Sequence, residues 1–197
     1  MSPQAGRRER NKQQKLERIT AAARELFAER GVDEVTTQEI ADKADIGAGT
    51  LFLYVKNKGE LLLLVQNAGY AEALARGVAA AENLPDTLDA IMAIIRSIVE
   101  CNRTQIDNGR TYLREMVFGD SEEPHHRDAL ALTLQTEAAV ADVLRREQRI
   151  TPTDAAALAH IVSAIMFLSM AATGNITTST DDIVQQIRDQ VRVLLRR

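Results

Sequence analysis

Apolar residues recur at helical spacing along almost the whole chain. Near the N-terminus, one such stripe comprises Leu16, Ile19, Ala23, Leu26 and Phe27. Near the C-terminus, another comprises Ile183, Ile187, Val191 and Leu194. Spacings of three and four residues place these side chains on one face of an α-helix, whereas a half-buried strand would alternate apolar and polar residues. No alternating stretch of convincing length occurs, so the pattern predicts an all-α protein.

Glycine, proline and asparagine mark where these helices end. The predicted breaks lie at Gly31, 45–47, 57–59, 83–85, around Asn108 and Gly109, and at 119–124, 150–152 and 174–180. They divide the chain into about nine helices, three short ones followed by longer ones.

Residues 36–55 have the pattern of a helix-turn-helix. Thr36 or Thr37 is a suitable N-cap for a short helix with the sequence Q-E-I-A-D-K-A. The D-I-G turn that follows leaves room only for a sharp bend, and Asp45 tolerates a left-handed conformation better than most residues. A second short helix then begins at Ala48 and buries Leu51 and Val55. Two short helices joined by a tight turn are typical of DNA-binding proteins.

The start of this second helix is nearly bare of side chains, which suits insertion into the DNA major groove. Small residues let the backbone approach base edges and phosphates closely, and Ala48 and Thr50 offer methyl groups and a hydroxyl. The Tyr54 hydroxyl, Lys56 and Lys58 are placed to reach flanking phosphates. A buried core helix with flexible glycines is the alternative, but the tight turn before it and the K-N-K run after it favour the DNA-binding interpretation.

The segment from Arg18 to Leu61 resembles the TetR/AcrR family of transcriptional regulators. The resemblance is carried by R-I-T-A-A-A-R-E-L-F-A-E-R-G, T-T-Q-E-I-A-D-K-A and G-T-L-F-L-Y-V-K-N-K-G-E-L. It implies an all-α homodimer with an N-terminal three-helix DNA-binding domain and a helical regulatory domain that binds a small inducer. We accordingly divide the chain into residues 1–58, with a basic N-terminal arm, and residues 59–197. The DNA-contacting positions of the family correspond here to Thr37, Gln38, Ala48, Gly49, Thr50, Leu53, Tyr54 and Lys58.

The chain departs from the family pattern at the recognition helix. The common turn glycine is Asp45, the polar pair that often opens the helix is Gly47 and Ala48, and a common tyrosine is Phe52. Fewer side-chain donors therefore face the bases, and backbone amides, methyl contacts and DNA shape must supply more of the specificity.

The distribution of charge and the cysteine content indicate the kind of partner and the cellular compartment. The formal net charge is −4, yet residues 7–18 are basic. We expect the arm that carries Arg7, Arg8, Arg10 and Lys12 to be disordered in the free protein and to add mostly non-specific DNA affinity. The single cysteine, Cys101, excludes an intramolecular disulfide and suits a reducing cytoplasm. No signal peptide pattern follows the N-terminal arginines, and residues 155–172 form a helix that we interpret as buried by protein on both sides, without a membrane.

The regulatory half should contain a dimer surface and a cavity. We expect residues 155–172 and 181–195 to form a four-helix bundle with the same helices of a second copy. Flexible and aromatic side chains on helices that should converge define a site for a largely apolar inducer, with polar anchors nearby. The members of this set are Met92, Asn102, Arg103, Tyr112, Met116, Phe118, Met166, Phe167 and Met170, and Arg110 is a further polar anchor.

Other classes of function have weaker support. The segment G-D-S-E-E-P-H-H-R-D, residues 119–128, carries metal-ligating side chains, but a solvated loop before a helix explains it better. No phosphate-binding loop, catalytic triad spacing or H-E-x-x-H motif occurs, so we expect neither an enzyme nor a cofactor. The sequence predicts a cytoplasmic, ligand-responsive repressor that binds a pseudo-palindromic operator. A dimer that binds DNA without an inducer is the first alternative, and an enzyme of unrecognised class is the second.

Overall fold

The computed structural model describes the backbone of residues 3–196 and the side chains of residues 10–196. Within these residues the chain forms nine α-helices and no strand, which confirms the all-α prediction. The helices are α1 (Pro3–Arg30), α2 (Thr37–Lys43), α3 (Ala48–Leu51), α4 (Lys58–Glu82), α5 (Thr87–Asn102), α6 (Ile106–Phe118), α7 (Pro124–Leu144), α8 (Pro152–Ala171) and α9 (Thr180–Leu195). A short 3₁₀ turn, Thr173–Asn175, precedes α9.

The first three helices pack around the apolar stripe of α1, in which Ile19, Ala23 and Phe27 are buried. Helix α1 ends at Gly31, which has a φ of 80° and donates its N–H to the Phe27 carbonyl at 2.9 Å. Only glycine adopts this left-handed conformation without steric cost, so the helix stops where its sequence indicates.

The basic N-terminal segment continues helix α1, which begins at Pro3. Disorder of the arm in the free protein stays a prediction, whereas the backbone described is helical. The physical reason lies in the composition, because arginine, lysine, glutamine and glutamate are good helix formers and no break separates them from the rest of α1. The side chains of Arg7 and Arg8 lie outside the described residues.

The part of the chain from α4 onward is built on the contact between α4 and α5. Gly77 of α4 lies against the backbone of α5, where an added Cβ would be 2.7 Å from the Ile94 Cα atom. The small residue thus permits the close approach of the two helices. Helix α7 packs beside α8, and there the Glu137 Oε1 and His160 Nδ1 atoms are 2.9 Å apart.

Helix α6 begins earlier than the sequence indicates. The turn lies at residues 103–105, and the predicted break at Asn108 and Gly109 is wrong because both residues belong to the first turns of α6. Gln105 caps the helix, accepting the Asn108 backbone N–H at 2.7 Å. Gly109 is required by packing, since an added Cβ would lie 2.1 Å from the Asn102 carbonyl oxygen.

Helices α8 and α9 differ in how much apolar surface they leave uncovered. The stripe of α9 is buried within the protomer, and Ile183, Ile187 and Val191 have no solvent exposure. This stripe therefore does not form a dimer surface, because it already packs on the chain's own core. Helix α8 instead retains an exposed apolar face that includes Ile161 and Leu168. By length and composition α8 also meets the criteria for a membrane span, which is weak evidence because core helices meet them too.

Candidate nucleic-acid interface

The turn between α2 and α3 is held by local hydrogen bonds. Thr36 caps α2 by accepting the Glu39 N–H at 3.2 Å, and the Glu39 carboxylate accepts the Thr36 N–H at 2.8 Å. These hydrogen bonds, with a smaller effect of Arg30, lower the pKa of Glu39 to about 2. After α2, Asp45 adopts a φ of 53°, as the sequence predicts. The Ile46 N–H then donates to the Ala41 carbonyl at 3.0 Å, which closes the bend.

Helix α3 begins at Ala48, as predicted, and ends at Leu51, after which a turn continues to Tyr54. Leu51 and Val55 are buried and anchor this segment to the core of the first three helices. The residues between them project outward: Leu53 is 80% exposed and Phe52 is 50% exposed. Nothing lies within 4 Å of a Cβ added at Gly49, so the start of α3 presents open backbone.

The remaining predicted contact residues of this segment lie on the surface or close to it. Thr37 and Gln38 occupy the first turn of α2, and the Gln38 amide donates to the Asp42 carboxylate at 2.7 Å. Ala48, Thr50 and Tyr54 are partly exposed around α3. The fold therefore gathers these residues in and around the helix-turn-helix, where a DNA groove and its flanking phosphates could be contacted.

Lys58 has a structural role that the sequence does not reveal. Its Nζ atom donates to the carbonyl oxygens of Asp33 and Val35, at 3.3 and 3.2 Å. These bonds tie the first turn of α4 to the loop between α1 and α2. A phosphate at this position would have to share the ammonium group with the two carbonyls.

Lys56 is paired with the acidic loop between α6 and α7. Its Nζ atom lies 2.9 Å from an Asp120 oxygen and 3.0 Å from a Glu123 oxygen. Hydrogen bonds to Asp120 and then Glu123 raise the pKa of Lys56. Residues 119–128 are therefore not simply a solvated loop, as the sequence analysis expects, because part of the segment docks against the DNA-binding half.

The first turn of α7, which follows this loop, also holds the start of α4. The buried Glu60 accepts the His125 backbone N–H at 2.7 Å, and the Asn67 amide donates to the His125 carbonyl at 2.9 Å. Burial raises the pKa of Glu60, and the His125 hydrogen bond partly opposes this rise. Two turns of α4 are thus fixed to the start of α7.

A second joint between the two halves is formed by Asn108, which is 4% exposed. Its side-chain oxygen accepts the Val32 N–H at 2.6 Å, and its amide donates to the Phe27 carbonyl at 2.8 Å. One side chain of α6 therefore bridges the end of α1 and the loop that leads to α2. Sequence reasoning missed this residue because an Asn-Gly pair is also a common turn signal.

The predicted ligand-binding residues fall into three groups. Met92, Tyr112, Met116, Met166 and Met170 are buried in the regulatory core. Phe167 is partly buried, whereas Phe118 is 82% exposed and so does not line the interior. The three polar anchors each donate a hydrogen bond to a backbone carbonyl of the chain. Asn102 donates to the Gly109 carbonyl, Arg103 to the Thr178 carbonyl and Arg110 to the Ala171 carbonyl.

Two tyrosines introduce polar groups into this core. The Tyr112 hydroxyl donates to the Asn67 side chain at 2.9 Å, and the Tyr70 and Thr136 hydroxyl oxygens are 3.1 Å apart. The two rings are tilted, with centroids 6.2 Å apart. Burial raises the pKa of both tyrosines, so they are neutral donors at physiological pH.

An open cleft lies closer to the DNA-binding half, between α1, α4 and the α5–α6 turn. Its volume is about 280 Å³, and Phe27, Val65, Gly69, Cys101 and Gln105 are among its lining residues. Among the side chains described, no three histidine, cysteine or carboxylate residues are grouped so as to hold a metal ion.

The helix-turn-helix segment is similar in sequence to known proteins. Residues 19–65 match the sequence model of the bacterial regulatory proteins of the tetR family. An uncharacterized HTH-type transcriptional regulator from Haemophilus influenzae is 41% identical over 46 residues, which make up 23% of this chain and 25% of that protein. The match thus spans about a quarter of the curated relative.

Solved structures extend the similarity of fold to nearly the whole chain. The TetR-family repressor FadR from Thermus thermophilus, solved in complex with lauroyl-CoA, superposes with a TM-score of 0.73 and 24% identity, covering 91% of this chain and 93% of FadR. A TetR regulator from Rhodococcus sp. RHA1 superposes with a TM-score of 0.71 and 18% identity, covering 94% and 98% of the two chains. At these identities the likeness concerns the fold.

Proposed function

We propose that this protein, a TetR-family transcriptional regulator by its N-terminal sequence and its overall fold, is a cytoplasmic repressor that binds a pseudo-palindromic operator as a homodimer. The observation that carries the proposal is the α2–turn–α3 unit, with its exposed tip, inside the segment that matches the family. In the dimer, two such units would enter successive major grooves roughly 34 Å apart.

The exposed face of α8 supports dimerisation. Ile161 and Leu168 line a surface groove between α8 and α9, together with the polar Gln186 and Gln190. A second copy that packs its own α8 and α9 against this groove would cover the exposed apolar side chains and produce a symmetric four-helix interface. The surface of α9 contributes its polar face, since its apolar stripe is occupied within the protomer.

A largely apolar inducer is the ligand class that fits the regulatory core. Four methionines, Met92, Met116, Met166 and Met170, dominate the predicted site, and methionine side chains repack readily around a guest. Because the structural relative FadR was solved with lauroyl-CoA, long-chain acyl-CoA thioesters are the first ligands to test. Phe118 is not part of the proposed site, and the proposed contacts are Met92, Tyr112, Met116, Met166, Phe167 and Met170.

Helix α4 and the start of α7 together offer a route from this core to the DNA. Tyr112 donates to Asn67 of α4, and the Asn67 amide donates to the His125 carbonyl in the first turn of α7. The His125 N–H in turn donates to Glu60 at the start of α4. A ligand that displaces Tyr112 would disturb this series of hydrogen bonds. It would shift the spacing of the two recognition units only by its differential affinity for the two arrangements, for which about 1 to 3 kcal/mol is typical.

Selection of bound sequences from random double-stranded DNA tests the proposal. The purified full-length protein should enrich an inverted repeat, elute as a dimer on size-exclusion chromatography with light scattering, and release the repeat when lauroyl-CoA or another long-chain acyl-CoA is added. Release by none of a series of acyl-CoA thioesters would favour the constitutive DNA-binding dimer or another ligand class. Failure to enrich any sequence would contradict the proposal itself.

A further inference from the structure

The recognition segment has an unusual shortage of hydrogen-bonding side chains. Between Asp45 and Lys56 the sequence is I-G-A-G-T-L-F-L-Y-V, in which only Thr50 and Tyr54 carry a polar group. Bidentate recognition of guanine requires arginine or lysine, and bidentate recognition of adenine requires asparagine or glutamine. None of these residue types occurs in the segment, so its side chains cannot read purines in that way.

The same segment exposes large apolar side chains. Leu53 is 80% exposed and Phe52 is 50% exposed, although they are the two residues that follow the buried Leu51. The exposed apolar surface of these side chains contributes no burial to the fold of a free protomer. They lie in the turn that directly follows α3, on the helix-turn-helix unit that is proposed to contact the DNA.

We propose that Leu53 and Phe52 read the C5-methyl groups of thymine in the major groove, and that the operator is specified mainly by thymine positions in each half-site. The inference rests on the proposed DNA-binding function and deepens it by naming the bases. Thymine is the base that presents an apolar group in the major groove, so it is the base that an apolar surface can distinguish.

The polar residues nearby are suited to positioning rather than to base selection. The Gln38 amide lies on α2 and is bonded to Asp42, and the first helix of a helix-turn-helix crosses the DNA backbone. The Lys58 ammonium is held by the carbonyls of Asp33 and Val35. Phosphate contacts from such residues fix the register of the protein, whereas apolar contacts from α3 would select the sequence.

Replacement of thymine by uracil tests the inference, because it removes the methyl group and leaves base pairing unchanged. In the operator obtained by selection, each thymine of one half-site is replaced in turn, and the dissociation constant is measured. Burial of one methyl group corresponds to about three- to fivefold in affinity. We therefore expect a loss of that size at one or more thymines in each half-site.

Leu53→Ala and Phe52→Ala then assign the contacts. If Leu53 covers a given methyl group, Leu53→Ala protein should bind the thymine and uracil operators equally at that position. Phe118→Ala is the matched control, since Phe118 is equally apolar, is 82% exposed and lies on α6, and it should retain the full sensitivity to uracil. Because these side chains are exposed, we expect all three variants to fold, and circular dichroism verifies this.

The possible failures are distinguishable. An operator whose affinity is unchanged by every uracil replacement, or a selected half-site without thymine, would overturn the inference while leaving the proposed function intact. Uracil sensitivity that persists unchanged in both Leu53→Ala and Phe52→Ala would also overturn it. A protein that enriches no DNA sequence would overturn both the proposed function and this inference.

Discussion

Replacement of Asn108 by alanine should destabilise the whole protein, although the residue lies at what resembles a surface turn in the sequence. Its side chain makes two buried hydrogen bonds, to the Val32 N–H at 2.6 Å and to the Phe27 carbonyl at 2.8 Å. The two groups respond differently to its loss. The Phe27 carbonyl keeps the Gly31 N–H at 2.9 Å, whereas the Val32 N–H loses its acceptor.

The expected cost follows from these contacts. A buried donor left without a partner costs about 1–3 kcal/mol, and the loss of an ordinary hydrogen bond costs about 0.5–1.5 kcal/mol. The sum is about 1.5–4.5 kcal/mol, and water entering from the adjoining cleft, which Asn108 helps to line, would bring the value toward its lower end. For a chain of this size, this corresponds to a lowering of Tm by roughly 5–15 °C.

Urea unfolding followed by circular dichroism provides the measurement. Asn108→Asp keeps an acceptor for the Val32 N–H but places a carboxylate oxygen beside the Phe27 carbonyl, so at neutral pH it should also be destabilised. Asn11→Ala is the control, since Asn11 is exposed on α1 and should change the unfolding free energy by less than about 0.5 kcal/mol. An Asn108→Ala protein as stable as Asn11→Ala would refute the idea that this side chain joins the two halves.

Three further predictions concern packing, pH and coupling. Gly77→Ala should lower the unfolding free energy by about 1–3 kcal/mol, because its Cβ would lie 2.7 Å from the Ile94 Cα atom. Gly174→Ala is the control and should leave the unfolding free energy unchanged, because Gly174 has open space around it. Equal urea midpoints for the two variants would contradict the predicted clash. Since capping bonds lower the pKa of Glu39 from 4.5 to about 2, its carboxylate stabilises the fold above about pH 4.5 and loses that effect as the pH falls toward 2. The Glu39→Gln variant should therefore lose less unfolding free energy than the wild type between pH 5 and pH 2. An equal loss in the two proteins would argue against a stabilising role of the Glu39 capping hydrogen bonds. Gly69→Leu, which places a bulky side chain on the open cleft, should alter the response to inducer more than it alters operator affinity without inducer. The measurement is a titration of the variant with both operator and inducer. Weaker DNA binding with unchanged coupling between the two ligands would show that α4 is a static support.

Short-range backbone chemistry was readable in the sequence, and there the predictions are confirmed. The left-handed Gly31 and Asp45, the capping threonine before α2 and the start of α3 depend on residues within a few positions of each other. Helical periodicity likewise predicts nearly all of the helices. An apolar stripe at helical spacing indicates a helix whatever surface of the protein later covers that stripe. The helix-turn-helix was therefore found without tertiary information.

What the sequence could not supply is the identity of each partner. Lys56 is suited to a phosphate by its position after α3, yet in the structure it is paired with Asp120 and Glu123, 64 and 67 positions further along the chain. The apolar stripe of α9 is equally consistent with a dimer surface and with the core that it occupies. Asn108 is a turn signal in isolation but becomes a buried bridge because α1 and α6 meet there. Periodicity and composition show that a side chain needs a partner, whereas only the packing of distant helices determines which group that partner is.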